Sequence, residues 1–182
     1  LPDSSNMCHE TTSVALPVSI GQGVGTIDLG DFAETECIMF FGQNPGSNSP
    51  RMLHPLQEAS QRGVPIITYN PLRERGLERF LNPQSPTEML TGKETRISSQ
   101  YHQVKNGGDL AALAGIGKAV LSAHDESLAR GGPAVLDLGF IAEHTTGFDR
   151  YAAWLRAQDW DELERRSGLH RADMEATARV YA

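Results

Sequence analysis

Cys37-Ile38-Met39-Phe40-Phe41-Gly42-Gln43-Asn44-Pro45-Gly46 is the stretch on which the fold turns. Five consecutive apolar residues, closed by Gly42, suit a strand buried on both faces of a parallel sheet. The polar segment Asp31 to Glu36 leads into it. Downstream, residues 51–62 place Leu53, Leu56 and Ala59 or Ser60 on one face of a short helix that stops at Gly63. Pro65-Ile66-Ile67-Thr68-Tyr69 is a second β-rich run. It ends at Asn70-Pro71, where proline forbids ladder pairing. Strand, loop, helix and strand within about 30 residues form a βαβ unit, expected to be right-handed with parallel strands.

Residues 72–100 combine the charged run Arg73 to Arg79 with a segment from Asn82 to Lys93 rich in Pro, Thr and Gly. They read as a long excursion with one helical turn. Tyr101-His102-Gln103-Val104 is the next expected strand, ending at Lys105-Asn106-Gly107-Gly108-Asp109. From Leu110, the residues Leu113, Gly117, Val120 and Leu121 keep helical spacing, so a helix extends to Ala123 or Ala129. Gly131-Gly132-Pro133 breaks it. Phe140-Ile141, then Phe148, Ala152 and Leu155, then Met174, Ala178 and Tyr181 mark three short amphipathic segments. The expected fold is α/β: a three-layer, dinucleotide-binding-like arrangement with a short, mainly parallel sheet and a helical C-terminal part. One domain is expected over 1–182, divided into an N-terminal segment 1–36, a sheet with flanking helices 37–139 and a helical extension 140–182.

Composition narrows the function classes. The 182 residues, 39% apolar and 21% charged, suffice for one globular domain with a core and not for two large ones. The chain opens without methionine and stops at Val180-Tyr181-Ala182 within an expected helix, which reads as a piece of something longer. Mean hydropathy is -0.36, and no apolar run approaches the roughly 20 residues of a membrane helix. Pro2, Asp3 and Ser4 do not resemble the start of a signal peptide. Sixteen basic against twenty-three acidic residues give a net charge of -7, which argues against a nucleic-acid surface. Arg51 is the first basic residue, so an anion bound near the N-terminus must rely on backbone N–H groups or on other parts of the fold. Two cysteines form no disulfide framework and cannot supply the four thiolates of an iron–sulfur cluster. A reducing, cytoplasmic setting is the expectation.

Chemistry concentrates at strand exits. Asn44 sits just past a buried strand and before a helix, where open α/β sheets bind ligands. Gly42 to Gly46 lacks the Gly-Lys-Ser/Thr ending of a Walker loop and the glycine spacing of the dinucleotide fingerprint. The loop presents N–H groups to a phosphate or is an ordinary turn. Gly21-Gln22-Gly23-Val24-Gly25 precedes the first strand and reads as a flexible turn. Asn70 stands where a dinucleotide fold often has an acidic residue for a ribose, and a turn residue reads equally well there. Asp109 opens a helix, so its carboxylate caps that helix or binds a donor edge such as guanine. Cys8-His9-Glu10 sets a soft ligand beside a proton acceptor, with a bystander cysteine or a cysteine hydrolase as alternatives.

The ordered set Ser5-Asn6-Met7-Cys8-His9-Glu10, Gly42-Gln43-Asn44-Pro45, Asn70-Pro71-Leu72-Arg73 and Lys105-Asn106-Gly107-Gly108-Asp109 resembles the catalytic subunits of bacterial molybdopterin oxidoreductases. Within that family it is most similar to the formate dehydrogenase-like alpha subunits of the YdeP type. The likeness runs over essentially the whole chain, including Phe140-Ile141-Ala142-Glu143-His144-Thr145-Thr146-Gly147-Phe148. It implies bis-molybdopterin guanine dinucleotide with molybdenum as cofactor, with residues 1–36 facing it. Cys8 matches the molybdenum ligand and His9 the neighbouring proton carrier. Gly42, Asn44 and Pro45 match positions near the pyrophosphate of one cofactor half. Asn70, Pro71 and Arg73 match positions near its nucleoside, and Gly107 and Asp109 positions near its guanine. The implied partners are a small-molecule substrate, the remaining domains of a parent chain and an electron acceptor, with any iron–sulfur cluster elsewhere in the parent. Asn6 replaces the arginine of formate dehydrogenases two residues before the metal ligand, which argues against formate as substrate. Asn70 stands where many members have aspartate, and the 74–100 excursion is shared with the YdeP type only. The competing reading is a nucleotide-binding or regulatory module without redox chemistry.

Overall fold

The computed structural model describes residues 10–182, so Cys8 and His9 lie outside the described residues. The chain divides into two compact units after Glu34. In the first, helix α1 covers Glu10–Ile20 and a single turn, α2, covers Asp31–Glu34. No residue of α1 is buried.

The second unit is built on three strands, β1 (Ile38–Phe41), β2 (Ile66–Tyr69) and β5 (Gln100–His102), in the order β1-β2-β5 and all parallel. Between β1 and β2 lie a short helix α3 (Pro45–Asn48), a 3-10 turn (Pro50–Met52) and helix α4 (Leu53–Gln61). The expected βαβ unit and third strand are therefore present, within a residue or two at each boundary. Leu53, Leu56 and Ala59 of α4 are buried, as their spacing required. All four residues of β2 are buried. Successive side chains of a strand point to opposite faces. Ile67 and Tyr69 join a core with Val104, Leu121, Leu155, Leu163 and Met174. Thr68 faces the other way and bonds to Ser98 Oγ at 2.7 Å, and Ser98 Oγ donates to Leu77 O.

The excursion is more ordered than its composition suggests. Helices α5 (Arg75–Glu78) and α6 (Pro86–Thr91) bracket β3 (Arg79–Phe80), which pairs antiparallel with β4 (Thr95–Arg96). It is fastened to α4 through Gln57 Nε2, which donates to Glu88 Oε1 at 3.0 Å and Thr95 Oγ1 at 2.8 Å.

Helix α7 (Asp109–Ala129) is the central helix of the C-terminal half. Beyond it come α8 (Leu138–His144), α9 (Phe148–Ala157), α10 (Trp160–Ser167) and α11 (Arg171–Tyr181). Three of these match the amphipathic segments of the sequence, and α10 is additional. Among the described residues no helix is long and apolar enough to cross a membrane.

Candidate functional site

Three parallel neighbours put their carboxyl ends on one edge of the sheet, so the loops after β1, β2 and β5 converge. Those loops carry every predicted binding residue that lies among the described ones: Gly42, Asn44 and Pro45; Asn70, Pro71 and Arg73; Gly107 and Asp109. Brändén's rule for open α/β sheets places ligands at this edge.

Hydrogen bonds tie the first two loops together. Gly42 N donates to Tyr69 O at 2.9 Å, and Asn70 N to His102 O at 3.0 Å. Asn70 is 4% exposed. Its Nδ2 donates to Gln43 O at 3.0 Å and its Oδ1 accepts from Leu72 N at 2.9 Å, so the amide acts as a strut between the loops. Asn44 is similarly engaged. Its Oδ1 caps α3 by accepting from Ser47 N at 3.2 Å, and its Nδ2 donates to Glu74 Oε2 at 2.7 Å. Gly42 adopts φ 65°, a conformation that glycine takes without steric cost, and a Cβ there would meet nothing within 4 Å. The chain turns sharply and leaves its backbone open to a ligand.

The second loop is held by groups that sequence reasoning did not single out. Tyr101 OH donates to Leu72 O at 2.7 Å and accepts from Glu74 N at 2.9 Å. Burial pushes the Tyr101 phenol above its ordinary value. Arg73 lies 5.2 Å from the Tyr101 ring centroid and pairs with Glu78 at 2.5 Å. Gln103 Nε2 reaches across to donate to Pro71 O at 3.3 Å. An aromatic residue in a three-residue strand gives no local hint of this duty.

At the third loop the capping account of Asp109 fails. The N-cap of α7 is Gly108, and Asp109 is the first helical residue. A Cβ on Gly108 would stand 2.8 Å from Arg166 O and 2.9 Å from Ser167 Cα, so the close approach of α10 requires glycine at the cap. Asp109 is half-buried, and no hydrogen bond or ion pair engages its carboxylate among the described residues. The partly positive start of α7 favours its ionised form. Of the predicted residues it is the one whose side chain retains its full capacity as an acceptor.

Beneath the loops, the last residues of the three strands stack. The Phe41 and Tyr69 ring centroids are 5.0 Å apart, and those of Tyr69 and His102 are 4.9 Å apart. Tyr69 OH hydrogen-bonds Thr177 of α11, and burial pushes its phenol up to about 12. Burial lowers the His102 pKa, opposed by Asp173 Oδ1 at 3.8 Å from Nδ1. No group of three or more His, Cys, Asp or Glu side chains suited to a metal occurs among the described residues.

No family model matches the chain. Over its full length it is 46% identical to Protein YdeP of Escherichia coli, covering 24% of that protein. It is 39% identical to an uncharacterized oxidoreductase of Mycobacterium tuberculosis, over 98% of this chain and 22% of the other. Formate dehydrogenase H of Escherichia coli is 23% identical over 98% of this chain and 21% of its own. In structure, acetylene hydratase from Pelobacter acetylenicus matches 96% of this chain and 20% of its own with a TM-score of 0.68 and 19% identity, a likeness of fold. The chain thus spans about a quarter of the length of the curated relatives it matches. The resemblance read from the motifs stands: from end to end this chain is similar to one segment of the YdeP-type, formate dehydrogenase-like proteins.

Proposed function

We propose that the chain is the part of a molybdenum-dependent oxidoreductase that holds one guanine dinucleotide half of bis-molybdopterin guanine dinucleotide. The observation that carries this reading is the convergence of three loops at the carboxyl ends of three adjacent parallel strands, in a chain similar over its whole length to formate dehydrogenase-like proteins. The residues present fit such a group. Asp109 has an unengaged carboxylate whose two oxygens match the paired N–H donors of a guanine edge. The backbone at Gly42 is open to a pyrophosphate. Asn44 and Asn70 set the spacing of the first two loops, and Pro71 and Arg73 shape the approach to the nucleoside. The cofactor, when bound, supplies a metal centre that accepts and passes on two electrons.

Cys8 supplies the soft thiolate that such a metal favours, and His9, which titrates near neutral pH, carries the substrate proton. The remaining domains of the parent chain, a small substrate, an electron acceptor and any iron–sulfur cluster belong to the whole enzyme. A ligand gripped from several domains loses most of its contacts when one is isolated. The chain 1–182 alone should therefore be inactive and free of molybdenum. Metal analysis tests this: the full-length parent should contain molybdenum, and Cys8→Ala should lose the metal or the activity. A metal-free parent with full activity would contradict the proposal.

A further inference from the structure

The two edges of the three-stranded sheet differ in kind. At one edge β5 is three residues long and polar, Gln100-Tyr101-His102, which resists pairing with another strand. At the other edge β1 is wholly apolar, Ile38-Met39-Phe40-Phe41, with none of the charges or prolines that blunt a natural edge. Ile38 N donates to Pro65 O and Gly42 N to Tyr69 O, each at 2.9 Å. N–H groups alternate along a strand, so those of Met39 and Phe41 point to the free edge. Beside that edge lies an apolar groove of about 350 Å³, lined among others by Met39, Phe41, Leu113, Tyr151, Leu155 and Tyr181. Leu113 is 44% and Tyr151 51% exposed.

We infer that the free edge of β1 receives a fourth parallel strand, supplied by a part of the parent chain outside residues 1–182. Several observations favour this occupant. The sheet runs β1-β2-β5 in one direction only, and doubly wound sheets reverse their strand order at the first strand. An all-parallel sheet is ordinarily buried on both faces, and β1 is only half-buried. About three quarters of each curated relative lies outside the matched segment, ample chain to provide a strand. The added strand bonds to the Met39 and Phe41 N–H groups and lays apolar side chains in the groove. Its following loop then faces Gly42 to Pro45 across the switch point and forms the second wall of the nucleotide crevice; this last step rests on the function proposed above, whereas the strand pairing does not.

Hydrogen exchange at the Met39 and Phe41 amides tests the inference in metal-free protein, so that its failure is separate from any failure of cofactor binding. Both amides should exchange freely in the chain 1–182 and be slowed by about 100-fold or more in the full-length parent. Met39→Pro removes an N–H that the chain 1–182 does not use and that an edge position tolerates. In the parent it should abolish the protection of Phe41. Free exchange in both proteins overturns the inference. So does parental protection of Phe41 that survives Met39→Pro, which would mean a cover other than a strand. Protection already present in the chain 1–182 together with dimerisation would assign the edge to a second copy and equally overturn it.

Discussion

β1 and β2 are four-residue apolar strands paired one to one, Ile38 with Ile66 through Phe41 with Tyr69, yet they occupy different environments. β2 is buried along its whole length, whereas in β1 only Phe40 is buried. Composition does not separate the two; position in the sheet does. A run of apolar residues records the environment of the assembled protein. When a segment is apolar enough for two neighbours and has one, the missing neighbour is supplied from elsewhere. The same contrast divides the helices: α7 buries nine residues and α1, no less apolar, buries none.

The largest expected effect lies in the paired isoleucines. Ile66→Ala should cost about 2–5 kcal/mol, because Ile66 is fully buried and a cavity remains. Ile38→Ala, at the half-open partner position, should cost roughly 1–2 kcal/mol by the same bookkeeping on less buried area. Denaturant unfolding of both variants measures the gap, and equal costs would break the comparison.

A smaller difference is expected between the two polar residues of the loops. Asn70→Ala removes a buried strut with two hydrogen bonds and should destabilise by about 1–3 kcal/mol. Asp109→Ala removes no observed partner and should stay within about 0.5 kcal/mol of the original protein. Thermal melts of the pair would show whether structural and ligand-directed roles are divided in this way.

The smallest effect concerns the third strand. Because burial holds the His102 pKa below its ordinary value, the unfolded chain takes up a proton at higher pH than the folded one. Stability should therefore fall as pH drops from the ordinary histidine range, about 6.5, towards the lower folded value. His102→Gln should flatten that part of the pH–stability curve, and an unchanged slope would remove His102 from the account.

Much of the sheet is legible in the sequence because short apolar runs bounded by Gly, Asn and Pro have few alternatives. α7 is legible from its helical spacing. α10 is not, since Trp160-Asp161-Glu162-Leu163-Glu164-Arg165-Arg166-Ser167 buries only Leu163 and Ser167. It is held by its Asp159 cap and by Arg165 paired with Glu162, neither of which leaves an apolar period. The excursion is opaque for a related reason. Its strands are two residues long, too short to alternate, and its fastening to Gln57 joins residues more than 30 positions apart. The site was legible as a set of strand exits. The individual roles were not: the use of Asn70 as a strut depends on Gln43, and the displacement of the cap from Asp109 to Gly108 depends on the approach of Arg166 and Ser167. Both are tertiary contacts.

The central claim is that the carboxyl edge of this sheet selects guanine. Titration of the chain with guanine and adenine nucleotides, followed by calorimetry in parallel with its Asp109→Asn variant, tests it most directly. Guanine nucleotides should bind in preference to adenine nucleotides, and the preference should disappear in the variant, whose amide offers only one acceptor oxygen to the two guanine donors. Micromolar binding of NAD, or a guanine preference that survives Asp109→Asn, would contradict it.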